Sequence, residues 1–271
     1  MNHKSELLGE FLGTFLLVLF GCGSVAVTVL FSSHQGLMQV ALAWGIGVSL
    51  AIYVTRHLSC AHLNPAVSIA MVISRRMSAV KLPVYLVGQF LGAFTGGLFV
   101  YALFYSSIND FEVAHQIIRG SADSVQTAKM FGEYYFNPVS GTGISMLQAV
   151  FAEALGTFLL VLLIFSLTEG CNVGRPDHTL APLFIGLSVT SIIGLIAPLT
   201  QAGLNPARDF GPRMIAWIFG WGEAAFPDNS FGFFWVYMLA PIAGGIVASM
   251  VFVKFIEPAM HRNSGKCCRK D

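Results

Sequence analysis

The residues in this chain that could do chemistry gather around two tripeptides. Asn64-Pro65-Ala66 lies in "HLNPAVS" at 62–68, and Asn205-Pro206-Ala207 lies in "GLNPARDFGPR" at 203–213. Asn is a strong helix N-cap because its side-chain oxygen satisfies an otherwise orphan backbone N–H. Pro suits the next position, where its missing N–H costs nothing. Each tripeptide therefore reads as a helix start. The runs that follow, Ala66–Ser74 and Ala207–Trp217, fall short of the ~20 residues a spanning helix needs. The preceding segments, "LSCAHL" at 58–63 and "TQAGL" at 200–204, read as non-helical backbone. Their chemistry would be hydrogen bonding: carbonyl acceptors on Cys60, Ala61, His62, Thr200, Gln201 and Gly203, with amide donors on Asn64 and Asn205 between them. No Ser/His or Asp/Asp pair and no metal-ligand cluster stands among the apolar runs, so neither an enzyme nor a cofactor or metal is expected.

The elements that must position these groups are legible in the composition. Of the 271 residues 55% are hydrophobic and 11% charged, against roughly 25% charged in soluble domains. No Asp, Glu, Lys or Arg occurs between Glu10 and Arg56, and similar gaps run 82–109, 134–152, 178–205 and 229–253. These runs predict six spans, at Leu7–Leu30, Met38–Thr55, Pro83–Tyr105, Ile144–Leu167, Leu180–Leu199 and Phe231–Phe255. The first run is too long for a cleaved signal core and is read as retained. Continuous runs also argue against a membrane β-barrel, whose segments alternate. With both termini inside, Lys4, Arg56, Arg75, Arg76, Lys81, Arg175, Lys254, Arg262, Lys266, Arg269 and Lys270 fall on the inner side. Only Arg119, Lys129, Arg208 and Arg213 fall outside, as the positive-inside rule requires. A net charge of +1 points to no nucleic-acid partner. The five cysteines show no paired spacing of a metal site or disulfide frame. Cys22 reads as packed in the first span; Cys267-Cys268 reads as part of a solvent-exposed tail, with acylation the alternative.

The chain also repeats itself. "EFLGTFLLVL" at 10–19 returns as "EALGTFLLVL" at 153–162, and the two Asn-Pro-Ala segments follow in nearly the same register. Small residues recur at spacing four in the third span (Gly88, Gly92, Gly96) and the sixth (Ala240, Gly244, Ala248), rows that let helices approach closely in lipid. Three spans per half place the second copy upside down, and inverted repeats share a working site near the midplane, at interrupted helices. The expected fold is an all-α membrane protein of six transmembrane helices and two half-helices. It forms one domain over 1–271, with repeats at about 5–105 and 144–256, an outer loop at 106–143 and a basic tail at 257–271. Irregular backbone at membrane depth is tolerated where it lines a wet cavity, and two positive helix ends meeting there would repel cations.

On these motifs the chain resembles the major intrinsic protein (aquaporin) family over essentially its whole length. "NPARDFGPR" and the long outer loop are similar to the glycerol-facilitator branch. The resemblance implies a right-handed bundle with an hourglass pore in each protomer of a homotetramer, in a plasma or inner membrane with cytoplasmic termini. It implies passive conduction of glycerol, water and other small uncharged solutes, with protons and ions excluded. It carries four constriction positions onto Trp44, Ile193, Ala202 and Arg208. Trp44 agrees with glycerol facilitators; Ile193 and Ala202 depart from their usual Gly and Phe, giving a set similar to nodulin-26-like channels. Water, ammonia or neutral metalloid acids are therefore the alternative cargo, and a coupled secondary transporter is the alternative class.

An intramembrane Arg marks a pathway or a pair. Arg208 either faces the lumen or clamps Asp209, and helix neighbours ~100° apart favour the lumen, leaving Asp209 as structural support. Glu10 and Glu153 occupy equivalent places in the repeats. A proton relay is one reading; the resemblance implies the other, that each carboxylate holds the irregular backbone before a half-helix. His62 either lines the lumen or packs with a hydrogen bond.

Overall fold

The structure, a computed structural model, describes residues 2–136, 140, 141, 143–226 and 231–263. Its α-helices are α1 (His3–Phe31), α2 (Leu37–Thr55), α3 (Pro65–Ile73), α4 (Leu82–Ala114), α5 (Val125–Ala128), α6 (Met146–Thr168), α7 (Ala181–Thr200), α8 (Pro206–Ala216), α9 (Ala240–Val251) and α10 (Glu257–Asn263). Among the described residues there is no strand, only an isolated antiparallel bridge between Phe136 and Gly143. Six helical stretches are long and apolar enough to cross a membrane, the third covering Ala79–Ala114 and the sixth Phe234–Arg262. The chain is a multi-pass membrane protein.

The six expected spans begin and end within four residues of observed helices, apart from the far end of the sixth, which runs on from Phe255 to Arg262, and the far end of the third. That helix was expected to stop at Tyr105 and runs on to Ala114, so the loop expected from 106 begins later. Its extension is polar, and Glu112 pins it by accepting from Thr127 Oγ1 at 2.7 Å and pairing with Arg119 Nη2 at 2.8 Å. The sixth helix is underwound at Phe234–Leu239 and at Phe252–Ile256. Each wide turn precedes a proline, Pro241 or Pro258. A proline has no N–H for the carbonyl four residues back, and a wide turn accommodates the loss.

Packing depends on missing side chains. A methyl group on Gly92 of α4 would overlap the Phe11 carbonyl of α1, and one on Gly244 of α9 would overlap Ala154 of α6. Gly45 of α2 and Gly186 of α7 face each other in the same way, a seam the spaced rows in the sequence do not announce. The half-helices fill the bundle from within: α3 packs on α9, α8 on α4. One face of the bundle carries the N-terminus, the α2–α3 and α6–α7 connections and α10. There Lys81 pairs with Glu6, and Arg76 bridges Glu169 and Glu257. Arg56 and Tyr53 bond the His178 and Thr179 carbonyls. This is called the terminal face below, and its opposite the far face.

Candidate functional site

Asn64 and Asn205 cap α3 and α8 as their sequence context requires. Asn64 Oδ1 accepts from Ala66 N at 2.8 Å, and Asn205 Oδ1 accepts from the N–H groups of Ala207 and Arg208 at 3.1 and 3.2 Å. Each asparagine also reaches across to the other half: Asn64 Nδ2 donates to the Leu204 carbonyl at 2.9 Å, and Asn205 Nδ2 to the Leu63 carbonyl at 2.8 Å. The two helix starts are thus stitched tip to tip. An amide NH2 has two donors, so one hydrogen on each asparagine is not used by that exchange.

The backbone leading into each tip is held by a buried carboxylate. Glu10 accepts from the N–H groups of His62 and Leu63, and from Ser59 Oγ and Gln89 Nε2. Glu153 accepts from the N–H groups of Gly203 and Leu204, and from Thr200 Oγ1. Both segments use left-handed backbone at matching places, Ala61 and Leu63 in one, Ala202 and Leu204 in the other, and Gln201 adds a third in the second. Such conformations cost non-glycine residues about 1 kcal/mol each, which the carboxylate bonds offset.

In a trans peptide the carbonyl points opposite the following N–H. The Ala61 and His62 carbonyls therefore turn away from Glu10, and those of Ala202 and Gly203 away from Glu153. The amides of Ala61 and Ala202 bond Ser59 Oγ and Thr200 Oγ1, which turns the Cys60 and Gln201 carbonyls the same way. The Thr200 carbonyl accepts from Tyr237 Oη at 3.0 Å, and the Gln201 side chain receives Tyr134 N at 3.0 Å.

These elements surround a cavity of about 490 Å³ that opens from the terminal face, where Arg56, Arg175 and His178 stand. It is lined by Cys60, Ala61 and His62, passes Asn64 and Asn205, and reaches Trp44, Ile193, Ala202 and Arg208. His62 both lines it and bonds Ser68 Oγ at 3.1 Å. Arg208 is 4% exposed. Its guanidinium covers the Trp44 ring at 4.1 Å, pairs through Nη2 with Glu133, and leaves Nη1 without a hydrogen bond inside the protein. Asp209 does not clamp Arg208. It receives Arg213 through two bonds of 2.9 Å and Glu133 N at 2.8 Å. Arg213 also donates to the Glu133 and Ala225 carbonyls.

Glu133 and Arg213 were missed by the sequence reading. Glu133 comes from the connection between α5 and α6, where a single carboxylate in "FGEYYF" was the available signal. Burial pushes its carboxyl up to about 7, against the pull of Arg208, with Asp209 adding to the rise. Of the cysteines, Cys22 is buried and free, Cys60 is free and exposed, and Cys171 is disulfide-bonded, which spacing did not suggest. Cys267 and Cys268 lie outside the described residues. On the terminal face Glu169, Cys171 and His261 approach one another. Glu169 is engaged there by Arg76 Nη2 and by Cys171 N.

A membrane bundle with a polar path beside two stitched half-helices is a channel architecture. The chain belongs to the major intrinsic protein family, whose model matches residues 1–252. It is 41% identical over 254 residues to the glycerol uptake facilitator protein of Escherichia coli K12, covering 93% of this chain and 88% of the relative. It is 37% identical to the propanediol uptake facilitator of Salmonella typhimurium, covering 93% and 94%. The solved aquaglyceroporin of Plasmodium falciparum superposes with a TM-score of 0.83 at 30% identity, covering 96% of this chain and all of that one. The family is one of channels, not enzymes.

Proposed function

We propose that this chain is a passive channel for glycerol and other small uncharged solutes, with water, and that it excludes protons and ions. The observation that carries the reading is the cavity that runs past both asparagines and ends on Arg208 against Trp44. A polyol has hydroxyls on one edge and C–H groups on the other. Carbonyls, the spare asparagine hydrogens and the Arg208 guanidinium serve the first; Trp44, Ile193, Leu17 and Val48 serve the second. Arg208 and the tips of α3 and α8 put positive potential where a cation would have to shed water. Glu10 and Glu153 are committed to backbone, which supports a holding role over a proton relay.

In the same reading Trp44, Ile193, Ala202 and Arg208 form the constriction. The terminal face is cytoplasmic, supported by its arginines and lysines, and the assembly is a homotetramer, as the resemblance implies. Swelling of proteoliposomes in glycerol tests the function. Rapid, non-saturating glycerol flux with no response to a proton gradient is expected; saturation at low concentration or proton coupling would replace the channel with a transporter. Native mass spectrometry in detergent checks the tetramer.

A further inference from the structure

Trp44 is the largest side chain at the constriction, and the structure shows what it rests on. A methyl group built on Gly21 of α1 would lie closer than 3.0 Å to Trp44 Cε3, Cζ3 and Cδ2 together. Near-equal approach to three atoms of the six-membered ring means that Gly21 meets the ring's face, not its edge. The Arg208 guanidinium also lies over that ring, at 4.1 Å, and cannot share a face already filled by the α1 backbone. The indole is therefore sandwiched between Gly21 and Arg208, with the cavity on the arginine side.

The other half of the chain shows the alternative. In repeat register Gly21 corresponds to Ile164 and Trp44 to Ile185. Both isoleucines line the cavity toward the terminal face. Where the ring is replaced by an aliphatic side chain, its neighbour on the outer helix is free to be large.

We propose that Gly21 is a specificity-determining position of this channel: its lack of a side chain sets how far Trp44 stands back from Arg208, and so the width the solute must pass. The inference rests on the channel reading above. Carbon atoms in ordinary contact sit ~3.5–4.0 Å apart, so a methyl at Gly21 drives the ring toward the guanidinium.

The test measures glycerol and water permeability of Gly21→Ala, Trp44→Val and the double variant in proteoliposomes. Gly23→Ala is the control, since Gly23 lies on the same helix with open space around it. Glycerol permeability of Gly21→Ala is expected to fall about tenfold, the scale of a misfitted carbon in a pocket, with water falling far less. In the Trp44→Val background the same substitution should change neither flux by more than about twofold, because coupled neighbours are non-additive. A wild-type glycerol-to-water ratio in Gly21→Ala, or an equal loss in both backgrounds, overturns the proposal. If Gly21→Ala cannot be purified folded, recovery of the double variant supports the ring as the obstacle, and its failure overturns it. A wild-type protein that conducts neither solute would overturn the channel reading instead.

Discussion

The two halves of this protein build the same scaffold and then treat it differently. On the scaffold side the match is close: Asn64 with Asn205, Glu10 with Glu153, Ser59 with Thr200, and the crossed bonds to Leu204 and Leu63. Tyr85 and Tyr237 also correspond, but with opposite roles. Tyr85 Oη accepts from Cys60 N, whereas Tyr237 Oη donates to the Thr200 carbonyl. Past the tips the halves part company. Val67 and Ser68 stand where the second half has Arg208 and Asp209. Arg213, Asp209 and Glu133 then form a buried network at the far face, whereas among the described residues α3 contains no charged side chain. Holding two helix tips at mid-depth needs symmetry; choosing what passes them needs charge on one side only.

The largest effect should come from breaking the charged half's internal clamp. Arg213 is 1% exposed and donates to Asp209, Glu133 and Ala225. Removing one partner of a buried pair costs about 3–5 kcal/mol because the other charge is stranded. Arg213→Ala should therefore lose the folded form in a detergent thermal-melt assay, while Val72→Ala, near the matching place in α3, should be recovered. Equal melting of the two would show that the second half does not depend on its charges.

Next in size, Arg208→Val copies the residue at the equivalent place in the first half. If Arg208 faces the lumen, proton and cation leak in proteoliposomes should rise by at least about tenfold, the scale of one lost charge interaction. A folded variant with unchanged leak would remove Arg208 from the path. A several-fold effect is expected from Cys60, a free thiol lining the cavity below the first tip. A charged methanethiosulfonate reagent should reduce glycerol flux, and Cys60→Ser should abolish the sensitivity. Persistence in that variant would mean that the reagent acts elsewhere, because Cys22 is buried.

The scaffold was readable because it is local or periodic. Asn-Pro-Ala states a helix start within three residues, and the spans announce themselves by the absence of charge. The far-face network was not readable for the same reason reversed. Glu133 lies 75 positions before Arg208 in the α5–α6 connection, and nothing in its neighbours points across that separation. Arg213 looked like one more loop-side charge until Asp209 turned toward it rather than toward Arg208. The end of α4 was misplaced because hydropathy marks where lipid stops, while the helix stops only when its backbone bonding does. Gly21 had no signal at all in a helix already rich in glycine; its role depends on a ring in another helix.

The smallest expected effect is a pH dependence seated in the charged half. Glu133 is buried beside Arg208 and Asp209, and its carboxyl sits at about 7 rather than 4.5. A folded-state value above the unfolded one means that the folded protein holds more protons between those two values. Through this group alone, stability is then greatest at acid pH and is lost as pH rises through about 7. Function should run the other way. Ionised Glu133 draws Arg208 to the wall of the path, and protonated Glu133 releases it toward the lumen. Glycerol flux should therefore fall modestly as pH drops from 8 to 6. Glu133→Gln should be pH-independent over that range and resemble the acidic wild type. A pH response that survives Glu133→Gln would place the titrating group elsewhere, and a flat wild-type profile would mean that the pair does not set the opening.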